Sequence, residues 1–438
     1  MRTWTLLLLA LAFAAPAHAA SPADSAAVAR NEWRIARESR FRGEYRPALL
    51  HAQRAHSAWP MQWYYALALA SVASEAGEPG TAARALDDLT ALGIGMDVAP
   101  DSSLAAASAK WPIVAEAAGR LRANLAPMAA STLGVEFPAA DSAFFPEGIA
   151  FDGKTGRYYV ASVRGHEVAL VDGGVRKPFV RTGALGAIAV AVDVVRRKLW
   201  VTSAGIPQAG TIAPGDTGRA VIEAFDLDTG QSLVRHTLPP VPGGHMPGDI
   251  CVGPDGEVFV SDSSYPAIYR IGFGLMVDEW VRDKTFRSLQ GQAFSPETRT
   301  LYVADYSHGI AAIDVADRTV TWLEPPPGQT ILGIDGMAIR AEELYAVQNG
   351  ITPPRIVKLT LGNSVPRRPI DRVAKLTVLD RNVAIADEPT MGAMTKDAYV
   401  YVANSQWEKY DESGVRKPGT VLTPPRLLSV SLKKGKKK

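Results

Sequence analysis

From Glu147 onward the chain repeats one piece of strand grammar six times, and nothing else in it limits the fold as much. Each unit opens on a small or polar residue, runs through an apolar strand to a turn, and returns along a second strand that ends in a polar side chain. The first unit is Glu147-Gly148-Ile149-Ala150-Phe151 with Tyr158-Tyr159-Val160-Ala161-Ser162. The second runs from Ile188 through Leu199-Trp200-Val201-Thr202-Ser203, and the third from Gly248-Asp249-Ile250 through Val258-Phe259-Val260-Ser261-Asp262. Gln290 to Asp305, Asp335 to Gln348 and Thr390 to Asn404 complete the set. Short β-branched and aromatic runs punctuated by Gly, Asp and Pro are the mark of sheet. The openings lie 41 to 60 residues apart, close to the length of a four-stranded propeller blade. The pattern predicts a mainly β chain with a six-bladed β-propeller, since a pair of β-sandwiches would not repeat as a turn-punctuated cassette. Each innermost strand then lines a central channel, with Glu147, Ile188, Gly248, Gln290, Asp335 and Thr390 at its mouth. A strand from Ser131 to Ala140 is expected to pair into the last blade, closing the ring and hiding its edges.

Ahead of Pro127 the period is helical instead. Ala36, Gly43 and Ala48 recur as Ala70, Gly77 and Ala82, each 34 positions later. Alanines let two helices of a hairpin approach closely and glycine makes the turn between them. With Tyr45, Ala55 and Pro60, this spacing resembles a tetratricopeptide repeat. A helix from Trp111 to Asn124 should cap the second unit, and Trp33, Trp59, Trp63, Tyr64 and Tyr65 are candidates for a surface shared with the propeller or for packing between helices. Before this domain, Met1-Arg2, an apolar run from Trp4 to Ala15 and Ala17-His18-Ala19 have the order of a cleaved export signal. That run is shorter than the roughly 20 residues of a transmembrane helix. The expected parts are therefore a signal peptide at 1–19, a smaller all-α domain at 20–127, the propeller at 128–432 and a lysine tail at 433–438. The expected location is periplasmic or secreted, without a transmembrane anchor.

Cys251 is the only cysteine, so neither an internal disulfide nor a cysteine-based zinc cluster holds the chain. Arg2 and the five tail lysines account for six of the 47 basic residues, and the remaining 41 face 45 acidic ones. A mildly acidic body gives no footprint for nucleic acid. The tail reads as a solubilising end or as a contact for an anionic surface.

PEGIAFD at Pro146, GDICVGPDGEVFVSD at Gly248, FSPETRTLYVADY at Phe294 and IDGMAI at Ile334 together resemble the gluconolactonase-like calcium propellers of the senescence-marker and paraoxonase group. ANSQW at Ala403 and VQNGITPPR at Val347 are similar to an exported bacterial subgroup with a helical-repeat front. The resemblance implies one divalent metal, Ca²⁺, at the channel mouth, held by a glutamate, two asparagines and an aspartate that open different blades. The glutamate falls on Glu147 and the aspartate on Asp335, which also makes both candidates for the catalytic centre. The asparagines fall on Gly248 and Gln290. Gln290 still offers an amide oxygen, whereas Gly248 leaves its place to Asp249 or to water. Two carboxylates and one amide can hold Ca²⁺, which accepts 6–8 oxygens in irregular geometry. Restoring the ligand by Gly248→Asn is expected to tighten the ion if the backbone there is ordinary β.

No GxSxG elbow, P-loop or HExxH is present, so serine-hydrolase, nucleotide and zincin chemistry find no local support. His245, three residues before Gly248, is a candidate base or an exposed loop residue, because imidazole titrates near neutral pH. Arg164, Asn349, Asn404 and Gln406 follow strand ends and are candidates for the ligand cavity. Two functions remain open: an exported Ca²⁺-dependent hydrolase of a small lactone or ester, and a non-catalytic binding propeller whose helical repeat docks a protein partner.

Overall fold

The computed structural model describes residues 21–272, 274, 276–362 and 370–433. The expected signal peptide at 1–19 and the end of the lysine tail lie outside these residues. Six helices come first: α1 Pro22–Phe41, α2 Tyr45–Ala58, α3 Trp63–Glu75, α4 Pro79–Leu92, α5 Ser102–Lys110 and α6 Pro112–Ala123. Ser21 caps α1 by accepting from the Asp24 amide at 3.2 Å, with Pro22 at the first helical position. The glycines of the repeat, Gly43 and Gly77, both sit at φ +74°, which turns the chain between paired helices. Their alanine partners Ala36, Ala48, Ala70 and Ala82 are fully buried where the helices meet. The expected cap helix is α6, bounded by Trp111 and Asn124, and α5 is a further helix before it. Trp111 ends α5 and begins α6, because Pro112 cannot continue a helix but can start one. No helix among the described residues is long and apolar enough to cross a membrane.

Among the described residues, twenty-four strands follow in six four-stranded antiparallel sheets. Blade 1 is β2–β5, from Pro146 to Arg181, and blade 2 is β6–β9, from Gly186 to Thr237. Blade 3 is β10–β13, from Pro247 to Val281, blade 4 is β14–β17, from Leu289 to Trp322, and blade 5 is β18–β21, from Ile334 to Arg381. The last blade takes β22 Gly392–Met394, β23 Ala398–Val402 and β24 Arg426–Ser431 from beyond blade 5 and β1 Ser131–Glu136 from between the helices and blade 1. β1 runs antiparallel to β24 from Ser131 opposite Val430 to Glu136 opposite Arg426, so the ring closes with the expected segment.

The innermost strands β2 Pro146–Asp152, β6 Gly186–Asp193, β10 Pro247–Val252, β14 Leu289–Ser295, β18 Ile334–Arg340 and β22 touch one another in a circle around the channel. Glycine sets how closely they approach. A Cβ on Gly148 would lie 2.6 Å from the Ile188 carbonyl, and one on Gly336 would lie 2.6 Å from the Met391 Cα. Gly291 faces the Asp335 carbonyl in the same way. In blade 3 the residue at this step is Asp249, whose Oδ2 accepts the Gln292 amide of the next inner strand at 2.7 Å. A side-chain bridge is thus added beside the close approach at Gly248.

The helices pack on the loops of blades 4 and 5. Ala26, Ala29, Ala55, Trp59 and Tyr65 share an apolar cluster with Leu332, and the Trp59 ring lies 5.8 Å from that of His308. Ile351 enters the core of the helical domain, and the Gly95 amide donates to the Thr352 carbonyl at 2.8 Å. Of the aromatic residues expected at this surface, Trp59 and Tyr65 serve it directly. Trp33 donates to the Tyr64 hydroxyl at 3.0 Å, and Tyr64 stays largely exposed.

Candidate functional site at the channel mouth

Four strand ends and the loops before them enclose a cavity of about 240 Å³ whose walls include Glu147, Gln290, Asp335, Asn349, Glu388 and Trp407. Glu147 is the second residue of β2, Gln290 the second of β14 and Asp335 the second of β18, so equivalent positions of three blades converge there. Glu147 is 5% exposed, and its Oε2 accepts the Trp407 indole N–H at 2.7 Å. Asp335 is 8% exposed, and its Oδ2 accepts from Asn349 Nδ2 at 2.7 Å. The same Asn349 nitrogen donates to the Pro389 carbonyl at 2.8 Å, while Asn349 Oδ1 is buried without a partner.

Burial and the nearness of other acids raise the pKa values of these carboxyls. Loss of solvent, then the charge of Asp335, pushes Glu147 well above the usual carboxylate range. Asp335 rises to about 6, again through burial, although the Asn349 hydrogen bond opposes the rise. Glu388 rises to about 7 through burial, reinforced by the charges of Glu408, Asp387 and Asp335. None of the lining residues is basic.

Carboxylates crowded together without a counter-charge, beside an unpartnered amide oxygen, match what a hard cation with oxygen ligands requires. Among the described residues, no group of three or more His, Cys, Asp and Glu is placed to hold a metal. Glu147 and Asp335 would therefore need amide oxygens from Gln290 or Asn349 to complete a site.

The other expected site residues stand elsewhere. Asp249 is spent on the backbone: Oδ1 accepts the Ile250 amide at 2.8 Å and Oδ2 that of Gln292, so its oxygens tie strands together rather than turning to the mouth. Burial nonetheless raises it to about 7, with a contribution from the Asp335 charge. His245 is buried with both nitrogens engaged, Nδ1 with Asp262 Oδ2 at 2.6 Å and Nε2 with the Pro239 carbonyl at 2.7 Å. Burial opposes its charge, but the hydrogen bonds and the Asp262 carboxylate win and raise its pKa. It anchors a loop and has no lone pair to offer as a base. Arg164 donates to the Gln208 and Gly414 carbonyls and lies 4.5 Å over the Tyr410 ring. Asn404 spends its amide on Thr423, Pro424 and Arg426. Gln406 spends its own on Ser142 and Thr423. Of these four, Asn349 alone reaches the cavity.

Sequence reasoning missed Glu388, Tyr306 and Trp407. Glu388 lies two residues before the opening Thr390, as the lining Met246 lies two before Gly248, so the loops entering inner strands carried a signal. Trp407 ends the ANSQW motif, one residue beyond Gln406.

No family model and no curated protein matches the chain. Among solved structures, a gluconolactonase from Xanthomonas campestris is 15% identical over 70% of this chain and 99% of its own, with a TM-score of 0.44. A calcium-binding protein, regucalcin, from Agrobacterium tumefaciens is 15% identical over 68% and 96%, also at 0.44. A virginiamycin B lyase from Staphylococcus aureus is 13% identical over 68% and 99%, at 0.41. At this distance the likenesses carry no argument about chemistry. By its own topology the chain is a six-bladed β-propeller with a helical front, and its structural neighbours include gluconolactonase and regucalcin proteins.

Proposed function

We propose that this chain is an exported, Ca²⁺-dependent hydrolase of small lactones or esters that works at the channel mouth. The observation that carries the reading is the meeting of Glu147 and Asp335, two buried carboxylates from blades 1 and 5, in a cavity with no basic residue. Glu147, Asp335 and Gln290 would hold the ion, with Asn349 Oδ1 within the same walls. When bound, Ca²⁺ polarises a substrate carbonyl as a Lewis acid.

The chain's own groups supply orientation and proton transfer. Trp407 and Asn349 each fix one carboxylate by a single hydrogen bond. Glu388 is the proposed base, because one oxygen, Oε2, is held by the Glu408 amide at 3.0 Å and a pKa of about 7 suits proton transfer near neutrality. Its Oε1 takes a proton from water as the water oxygen attacks the carbonyl carbon. The same proton passes to the alkoxide when the C–O bond breaks, giving a hydroxy acid or an acid and an alcohol. Export rests on the Met1-Arg2, Trp4–Ala15 and Ala17-His18-Ala19 pattern.

A second reading, a binding propeller with a tetratricopeptide-like docking domain, draws on Gly248, which puts no side chain at the mouth. Thermal melts with and without millimolar Ca²⁺, and a lactone and arylester panel, separate the two on wild type, Glu147→Gln with Asp335→Asn, and Glu388→Gln. The hydrolase should gain on the order of 2–3 kcal/mol at a hundredfold excess of ion over Kd and lose that gain in the double variant. Glu388→Gln should keep the gain and lose at least a hundredfold in turnover. No Ca²⁺ shift in wild type sinks the ion site. A shift without turnover moves the conclusion to the binding protein.

A further inference from the structure

Outside the mouth lies a second cavity of about 550 Å³, which shares Tyr306, Asn349 and Glu388 with the first. The far wall comes from another part of the chain: Trp63, the first residue of α3, is half-buried in the helical domain and lines this space. Asp387 and Glu408 complete its charged surface, and none of its lining residues is basic. Lys409 neutralises Asp387 from outside through a 2.8 Å ion pair. Glu388 and Glu408 are left without such a partner among the ion pairs of the described residues. The outer cavity thus joins two aromatic rings to three carboxylates, of which Asp387 alone is held in an ion pair, and the single Lys409 also faces the charges of Glu388 and Glu408. Its volume falls within the range of small-molecule sites.

A π face and a carboxylate repel an anion and attract a cation that is weakly hydrated. A metal ion has no use for indole and phenol faces, and a neutral apolar ligand has no use for Glu388 and Glu408. We propose that the outer cavity binds an organic ammonium group and that Trp63 is its specificity-determining residue. A ligand held this way extends from Trp63 past Tyr306 toward Glu147 and Asp335. The helical domain then completes the ligand site rather than merely flanking it. The proposal rests on the mouth being the ligand site, but not on hydrolysis there.

Isothermal titration calorimetry with choline and with its neutral carbon isostere, 3,3-dimethyl-1-butanol, tests it, with and without millimolar Ca²⁺, on wild type, Trp63→Ala, Trp63→Phe and Glu408→Gln. Choline should bind about tenfold more tightly than the isostere, within the reach of a cation–π contact supported by charge. Trp63→Ala should abolish that preference, Trp63→Phe keep most of it, and Glu408→Gln weaken choline about threefold. Millimolar Ca²⁺ should leave the preference for choline in place, which separates this site from the ion at the mouth. Equal affinity for the two probes, no choline binding at millimolar concentration, or an unchanged preference in Trp63→Ala would overturn it. If Trp63→Ala proves unfolded by circular dichroism, Glu408→Gln decides, and unaltered choline affinity there overturns the proposal.

Discussion

Gly248 shows how one side chain can take another's space. A Cβ there would lie 2.8 Å from the Leu289 carbonyl and 3.0 Å from Gln290 Oε1, so the amide of Gln290 already fills the room that an asparagine at 248 would need. The backbone is not left-handed at this position, so its glycine answers a close approach and not a turn. The expectation that Gly248→Asn tightens ion binding is therefore replaced by a loss. The substitution must move a backbone carbonyl, and urea denaturation should show it less stable by about 1–3 kcal/mol. Ca²⁺ titration of the same variant should show no gain in affinity. The sequence placed Glu147, Gln290 and Asp335 correctly at strand openings, because a strand period of two fixes which residues share an end. It could not show that His245 and Asn404 exhaust their polar atoms on neighbouring loops, because those partners, Pro239 and Asp262 or Thr423 and Pro424, are set by loop paths with no periodicity.

The strands were legible and one helix was not, for a reason that α5 makes plain. Blade strands carry alternating β-branched and aromatic residues, whereas Ser102–Lys110 is a run of Ser and Ala in which only Leu104 and Ala107 are buried. So weak a stripe gives no 3.6-residue signal. The end signal was present, since Asp101 accepts the Ser103 amide at 2.9 Å and the Leu104 amide at 3.0 Å. With little burial to hold it, α5 should depend on that cap. Asp101→Ala should cost about 1 kcal/mol, and amide hydrogen exchange should quicken at Ser103 and Leu104 before it changes in α4. An exchange pattern unaltered in the variant would show that packing, not the cap, sustains the helix.

At the scale of the whole molecule, the buried acids bind stability to pH. Asp335 at about 6, and Asp249 and Glu388 at about 7, all lie above the unfolded carboxylate range. The folded chain therefore keeps protons that the unfolded chain releases. Their contribution is complete below about pH 4 and is lost as pH rises through 6 to 7. A fraction of the full shift survives solvent screening, so each group should contribute about 1–2 kcal/mol. Without divalent ions the protein should melt lower at pH 8 than at pH 5, and millimolar Ca²⁺ should recover part of the difference at pH 8, the part due to Asp335, while doing little at pH 5. A flat melting temperature across this interval would mean that the mouth is better hydrated than its burial implies.

The closing of the ring by β1 and β24 also fixes an order of events. β1 emerges from the ribosome before any other strand, yet its partner begins at Arg426, some 290 residues later. Blades 1 to 5 are each built from neighbouring segments and can form as they are made, since nearby pairings close small loops and form quickly. The last blade has to wait until β24 has been made. Until then the chain is an open arc with β1 as a bare edge, and the channel mouth, whose walls come from both ends of that arc, does not yet exist.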